Sequence, residues 1–198
     1  MNKKEVIAFF DERAEQWDAC MIKDVAKIKH ILDVAGVSEG CRVLDVATGT
    51  GVLIPDYLER KVGSVVAFDI SPKMIAIAEE KFRNEVNVEF QCTDVEGLRW
   101  KEEFDCAVVY NAFPHFVDTN GLVMQMAKAI RPGGKLTVAH DRGIEQLSQH
   151  HSGAAKKIAN RLISVEEMSE LFAPYFRVTH SQSEEDIYIV SGIRMDEE

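Results

Sequence analysis

The chain of 198 residues carries 23 Lys and Arg against 33 Asp and Glu, a formal net charge of −10, and 46% of its residues are hydrophobic. That length fits one domain of the usual ~100–200 residues, and the balance excludes a disordered chain, a collagen-like chain and a disulfide-stapled miniprotein. Binding to nucleic-acid phosphates or anionic lipid draws on clustered Lys and Arg, so an acidic chain without a basic face is expected to bind neither nucleic acid nor membrane.

Cys20, Cys41, Cys92 and Cys106 contain no C-x-x-C pair. This removes a zinc ribbon and a thioredoxin-type redox motif and leaves free thiols in a reducing cytosol as the expectation. The first apolar run breaks at Asp11, Glu12 and Arg13. No signal peptide is legible and no stretch approaches the ~20 residues of a membrane span. A cytoplasmic protein, monomer or homodimer, is expected.

In chain order, Ile7, Phe10, Ala14 and Trp17 recur at steps of three and four, as do Val25, Ile28, Ile31, Leu32 and Ala35. These patterns predict two helices, the second capped by Gly36. Arg42–Ala47 reads as a buried strand entering a glycine-rich turn, with helix signals from Val52 to Arg60. Strands and helices then alternate. Ser64–Asp69 is a strand, and Pro72–Arg83 a helix with Ser71 as its N-cap and proline at its first position. Asn87–Cys92 and Phe104–Tyr110 are strands, and Thr119–Ile130 is a helix stopped by Arg131-Pro132-Gly133-Gly134. Lys135–Ala139 is a strand, Val165–Phe172 a helix, and Phe176–Ser181 with Ile187–Ser191 a closing antiparallel pair. This alternation predicts an α/β domain with a mostly parallel sheet covered on both faces. A single domain is expected: a helical cover over 1–36, and a core over 37–198 with a short insertion at 142–164.

The turn Asp45-Val46-Ala47-Thr48-Gly49-Thr50-Gly51 joins the first strand to the following helix, where glycine permits close backbone approach and the helix end offers unpaired N–H groups. A dinucleotide fingerprint would need a third glycine at position 54, which is Ile54. Asp45 would also set a carboxylate beside a pyrophosphate, which is unfavourable in a partly buried site. The nicotinamide-dehydrogenase reading is therefore disfavoured. A ligand bearing an ammonium and a sulfonium, as S-adenosylmethionine does, suits the carboxylate.

Val43 to Gly51 resembles motif I of the class I S-adenosylmethionine-dependent methyltransferases, D/E-x-G-x-G-x-G, with Ala47 in the place of the first glycine. The resemblance spans roughly positions 8 to 140 and is similar to the methyltransferase-11-like and ubiquinone-biosynthesis-methyltransferase-like branch, whose members mostly act on small molecules. It implies a Rossmann-like, doubly wound, mostly parallel seven-stranded sheet with an antiparallel C-terminal strand and N-terminal covering helices. It implies S-adenosyl-L-methionine as cofactor, held by Asp45, Ala47, Thr48, Gly49 and Gly51. Asp69 would accept both ribose hydroxyls, although a helix-capping acid reads the same way. Ile70 and Met74 would flank the adenine, although core packing explains them equally well. Asp94 would take the exocyclic amine and the Val95 backbone N–H a ring nitrogen. The backbone of Tyr110 and Asn111 would lie beside the methionine part. Phe9 to Asp18 resembles the F-D-x-x-A-x-x-W/Y-D opening of many relatives, which folds over the cofactor; Phe10 and Trp17 are then substrate-side candidates, or simply cover for the sheet.

Ligands of open α/β sheets gather at the carboxyl ends of the strands. Tyr110-Asn111-Ala112-Phe113-Pro114-His115 lacks the adjacent prolines of the Asn/Asp-Pro-Pro-Tyr/Phe segment of DNA-adenine and glutamine methyltransferases. Of the six histidines, His115, His140, His150 and His151 fall at or beyond predicted strand ends, whereas His30 and His180 are set aside as surface or packing residues. Three readings of the group stay open: loop caps, a general base with His140 preferred and His115 second, or a divalent-metal site with Asp141. No metal is expected at a standard motif. Lys156, Lys157 and Arg161 would form a basic patch for an anionic substrate or a solvated helix face. The reaction expected is direct in-line methyl transfer to an O, S or C nucleophile of a small molecule. The alternatives are a non-catalytic S-adenosylmethionine-binding regulator and a metal-assisted methyltransferase.

Overall fold

The structure is a computed structural model that describes residues 2–150 and 158–196, with side chains described for all of these except 148–150. Among these residues seven strands form one sheet: β1 (Arg42–Val46), β2 (Ser64–Asp69), β3 (Val88–Cys92), β4 (Phe104–Tyr110), β5 (Ile130–His140), β6 (Phe176–Ser183) and β7 (Tyr188–Arg194). Their order is β3-β2-β1-β4-β5-β7-β6. The first five strands run parallel and β7 lies antiparallel to both β5 and β6. The expected seven-stranded, mostly parallel sheet with an antiparallel C-terminal strand is what forms.

Among the described residues eight helices accompany the sheet: α1 (Lys3–Arg13), α2 (Trp17–Cys20), α3 (Val25–Ala35), α4 (Ile54–Glu59), α5 (Pro72–Lys81), α6 (Thr119–Ala129), α7 (Ile144–His150) and α8 (Val165–Phe172). Alternate strand residues face opposite layers, the two-residue period of a pleated strand. Leu44, Val46, Ala107, Val109, Leu136 and Val138 pack with Leu122 and Met126 of α6 and Met168 and Phe172 of α8. Val43, Val65, Ala67, Cys106 and Val108 pack instead with Ile28, Leu32 and Ala35 of α3 and with Ile54 and Tyr57 of α4. Because Asp45 lies two residues after Val43, it shares that face and is buried on the α4 side against Tyr57, and this placement governs the site.

Local signals account for most element ends. Gly36 closes α3 in the left-handed conformation at φ 77°, and Ser71 caps α5 by accepting from the Met74 N–H at 3.2 Å. Two expectations change. The first helical pattern is broken by a 3-10 turn over Ala14–Gln16. Seven residues of straight helix rise about 10.5 Å, and the bend brings the rings of Phe10 and Trp17 edge to face at 5.5 Å. The second change is that Arg131–Gly134 stops the helix as expected yet belongs to β5, as a bulge. The pairing steps from Phe104↔Ile130 to Cys106↔Lys135. A Cβ on Gly134 would lie 2.7 Å from the Asp105 carbonyl oxygen, so the bulge needs glycine there.

Phe172 is fully buried beneath Phe176, ring centroids 5.5 Å apart, and it anchors α8 to the antiparallel end of the sheet. Phe172→Ala is expected to lower stability by about 3–5 kcal/mol, measured as a lower urea midpoint with an unchanged slope.

Candidate functional site

The carboxyl ends of β1, β2 and β4 open into a cavity of about 190 Å³, with Lys3, Val6 and Phe10 of α1, Trp17 of α2 and Met21 on the opposite wall. Its floor is the turn after β1. Ala47 adopts φ 56° and Gly49 φ 57°. The left-handed region costs a residue with a Cβ roughly 1–2 kcal/mol, so alanine in this place strains the backbone as well as adding a methyl group.

Two carboxylates hold this floor together. Asp45 is 2% exposed; it accepts from the Thr48 hydroxyl at 2.6 Å and the Tyr57 hydroxyl at 3.2 Å. Burial outweighs those two hydrogen bonds and pushes its carboxyl up to about 6, with the charge of Asp69 adding to the rise. Asp69 accepts from the Gly49 N–H at 2.9 Å and the Ser71 N–H at 2.8 Å. Burial also raises its carboxyl, against the pull of those N–H groups. Two buried acids facing one cavity form a site whose charge is relieved by a cation.

The remaining expected cofactor residues divide clearly. Thr48, Ile70, Met74, Asp94, Val95 and Asn111 join Asp45, Ala47, Gly49 and Asp69 on the cavity wall. Gly51 does not: it is buried behind the turn at φ 80°, where a Cβ would lie 2.6 Å from the Phe82 ring, so its role is to let α4 start close to Phe82. Asp94 carries an ion pair with Lys3 at 2.5 Å, and Lys3 also reaches Glu96 at 2.6 Å. A cation therefore already sits on the carboxylate expected to meet an amine.

Of the substrate-side candidates, Phe10, Trp17, Tyr110 and His115 all reach the cavity wall. The Tyr110 hydroxyl donates to Asp141 at 3.0 Å; burial and that neighbouring carboxylate raise its pKa, so it stays protonated. His115 has Nδ1 2.9 Å from the Ile158 carbonyl oxygen and its ring edge-on to Phe10 at 5.0 Å. A carbonyl accepts only, so Nδ1 carries the proton. His140 is placed elsewhere: it is 1% exposed within β5, with its ring 6.0 Å from that of Tyr188 on the neighbouring strand. The His150 side chain, His151, Lys156 and Lys157 lie outside the described residues. Arg161 pairs with Glu167 on α8, Nη1 to Oε2 at 2.9 Å. Among the described residues no group of three or more His, Cys, Asp or Glu could hold a metal ion, and no helix is long and apolar enough to cross a membrane.

Sequence reasoning missed the fastening of the N-terminal helices. Asp11 accepts from the Ser71 hydroxyl at 2.6 Å and the Lys73 N–H at 3.2 Å, at the start of α5. Asp18 accepts from the Thr50 hydroxyl at 2.5 Å and pairs with Lys81 at 2.7 Å. Both acids belong to the opening pattern quoted above, which was the available signal. Tyr57 left no signal, because its partner Asp45 is set by the tertiary fold.

Asp45 supplies a prediction. A carboxyl raised in the folded state favours folding fully below its unfolded pKa, and that contribution is lost as pH rises through about 6. Above that pH the buried anion costs about 3 kcal/mol. Asp45→Asn is therefore expected to raise the melting temperature at pH 7.5 by a few degrees and to leave it nearly unchanged at pH 4, read by scanning calorimetry.

Comparison with known proteins agrees with this geometry. Residues 43–134 match the family described as methyltransferase domain. The chain is 31% identical over 139 residues to malonyl-acyl-carrier protein O-methyltransferase of Acetivibrio thermocellus, covering 69% of this chain and 49% of that protein. It is 33% identical over 116 residues to the ubiquinone/menaquinone biosynthesis C-methyltransferase UbiE of Erwinia tasmaniensis, covering 56% and 46%. The chain thus spans about half the length of the curated relatives it matches. The N-methyltransferase NodS of Bradyrhizobium japonicum WM9, solved with S-adenosyl-L-homocysteine, superposes with a TM-score of 0.76 at 14% identity, covering 97% of this chain and all of that one. Residues 43–134 thus match a methyltransferase domain, and the whole chain has the fold of that solved N-methyltransferase.

Proposed function

We propose that this methyltransferase binds S-adenosylmethionine in the cavity between the sheet and the N-terminal helices and methylates a small molecule. The observation that carries the proposal is the pair of buried carboxylates, Asp45 and Asp69, at the ends of adjacent strands around a strained turn. Among the described wall residues Lys3 is the only lysine or arginine, and it is paired with Asp94 and Glu96, so the open charge of the cavity is negative. A sulfonium with its ammonium matches that charge, and two ribose hydroxyls match the outward lone pairs of Asp69. The apolar side chains of Ile70 and Met74 supply faces for an adenine. When bound, the cofactor supplies an electrophilic methyl group on a positively charged sulfur.

The chain's own residues do the rest. Positioning the acceptor in line at about 3–3.5 Å supplies much of the rate, and Phe10, Trp17 and Met21 exclude water from that path. With its proton fixed on Nδ1, His115 holds its basic lone pair on Nε2, which suits it to take a proton from an acceptor hydroxyl or thiol. The burial of His140 and its place outside the cavity lining favour His115 as the base. Tyr110, held by Asp141, shapes the wall rather than exchanging a proton.

The test is calorimetric titration of chelator-treated protein with S-adenosylhomocysteine. One-to-one binding is expected without metal, and Asp69→Asn should weaken it by about 10- to 100-fold, a hydrogen bond to a charged group being worth about 1.5–3 kcal/mol. Unchanged affinity would remove Asp69 from the site. Because Asp45 titrates at about 6 and must be ionised to meet a cation, S-adenosylmethionine should lose affinity between pH 7 and pH 5 more steeply than S-adenosylhomocysteine. His115→Ala should lower turnover and leave cofactor affinity intact.

A further inference from the structure

His30 lies on α3 and His180 on β6, and the fold brings their rings to a centroid separation of 6.0 Å. Both present Nε2 to one atom: His30 Nε2 lies 2.9 Å and His180 Nε2 lies 3.2 Å from Gln182 Oε1. The amide is oriented by its other end, since Gln182 Nε2 donates to Glu184 Oε1 at 2.8 Å; this fixes the carbonyl oxygen toward the two imidazoles. His30 is exposed, and His180 and Gln182 are half-buried. Three donor atoms of two elements therefore converge at the surface from positions far apart in sequence.

We propose that His30, His180 and the Gln182 amide oxygen form a surface site for a borderline divalent cation of the Zn²⁺, Ni²⁺ or Cu²⁺ type. Imidazole is the nitrogen ligand these ions prefer, and a cation held by three protein donors completes a tetrahedron with water. Ligation requires a lone pair on each Nε2, so each ring moves its proton to Nδ1 and the cation takes the position the two N–H groups now share. Glu184 stands behind the amide as an orienting carboxylate, the arrangement that strengthens a ligand from outside. The nearby ammonium of Lys27, one turn earlier on α3, is held by Asp186 at 2.8 Å. The groups of three or more His, Cys, Asp or Glu that mark stronger sites are absent among the described residues; here the third donor is an amide. The bound ion would staple α3 to the edge strand of the sheet. None of these residues lines the cofactor cavity, so the inference stands or falls apart from the proposed methyl transfer.

The test is titration of the full, tag-free, chelator-treated chain with Ni²⁺ and Zn²⁺ by calorimetry, with Mg²⁺ as the hard-ion control. One saturable equivalent of Ni²⁺ and of Zn²⁺ is expected, and no heat from Mg²⁺. His30→Ala and His180→Ala should each weaken binding by about tenfold or more, the scale on which metal sites respond to altered ligand surroundings, and Gln182→Ala by less. A thermal melt of each variant without metal confirms that it folds. Absence of saturable uptake overturns the proposal, as does uptake that persists unchanged in the doubly substituted His30→Ala/His180→Ala protein.

Discussion

Asp69 joins two turns that would otherwise be independent. One oxygen takes the Gly49 N–H of the turn after β1, and the other takes the Ser71 N–H that begins α5. The adjoining backbone reinforces it, with Thr48 N–H on Phe68 O and Thr93 N–H on Asp69 O, each at 3.0 Å. Three strand ends are thereby fixed relative to one another before any ligand arrives. A buried carboxylate is tolerated because its hydrogen bonds are made by backbone donors in fixed positions, which are costly to leave unpaired. Rigid geometry and unrelieved charge thus come from the same two side chains, Asp45 and Asp69.

The N-terminal helices depend on that frame. Asp11 meets the start of α5 through Ser71, whose own N–H is already held by Asp69. At the far end Asp18 meets Thr50 and Lys81, and at the near end Lys3 meets Asp94 and Glu96. Contacts among exposed charges are individually weak. Burial of Val6 and Ala14 supplies the apolar part of the attachment. A cover held this way closes over the cavity without being fused to it.

Much of this was legible in the sequence because the responsible forces are local. Hydrophobic period, the Gly36 cap, the Ser71 cap with Pro72, and the alternation of strands with helices give the element order, and the spacing of Asp45, Asp69 and Asp94 after successive strands places three acids on one rim. What was not legible depends on residues distant in the chain. The neighbours of His140 lie on β7, so its burial against Tyr188 could not be read from its position at a strand end. His30 and His180 read as surface or packing residues because β6 and α3 meet only in the folded sheet. The strain at Ala47 is a matter of φ, and residue identity alone conceals it. Gly51 matched a ligand-binding pattern while its actual neighbour, Phe82, lies just beyond the end of α5.

Under the proposed function, the burial of Asp45 would also order the events of turnover. A ligand that enters with a positive sulfur and leaves with a neutral one gives up, inside the site, the charge that both carboxylates favoured. Proton uptake by Asp45, whose carboxyl titrates at about 6, becomes easier at that moment than while the cation was present. Under the proposed function the site would hold the reactant more firmly than the spent molecule, and release of product would be assisted by the electrostatics that secured its precursor.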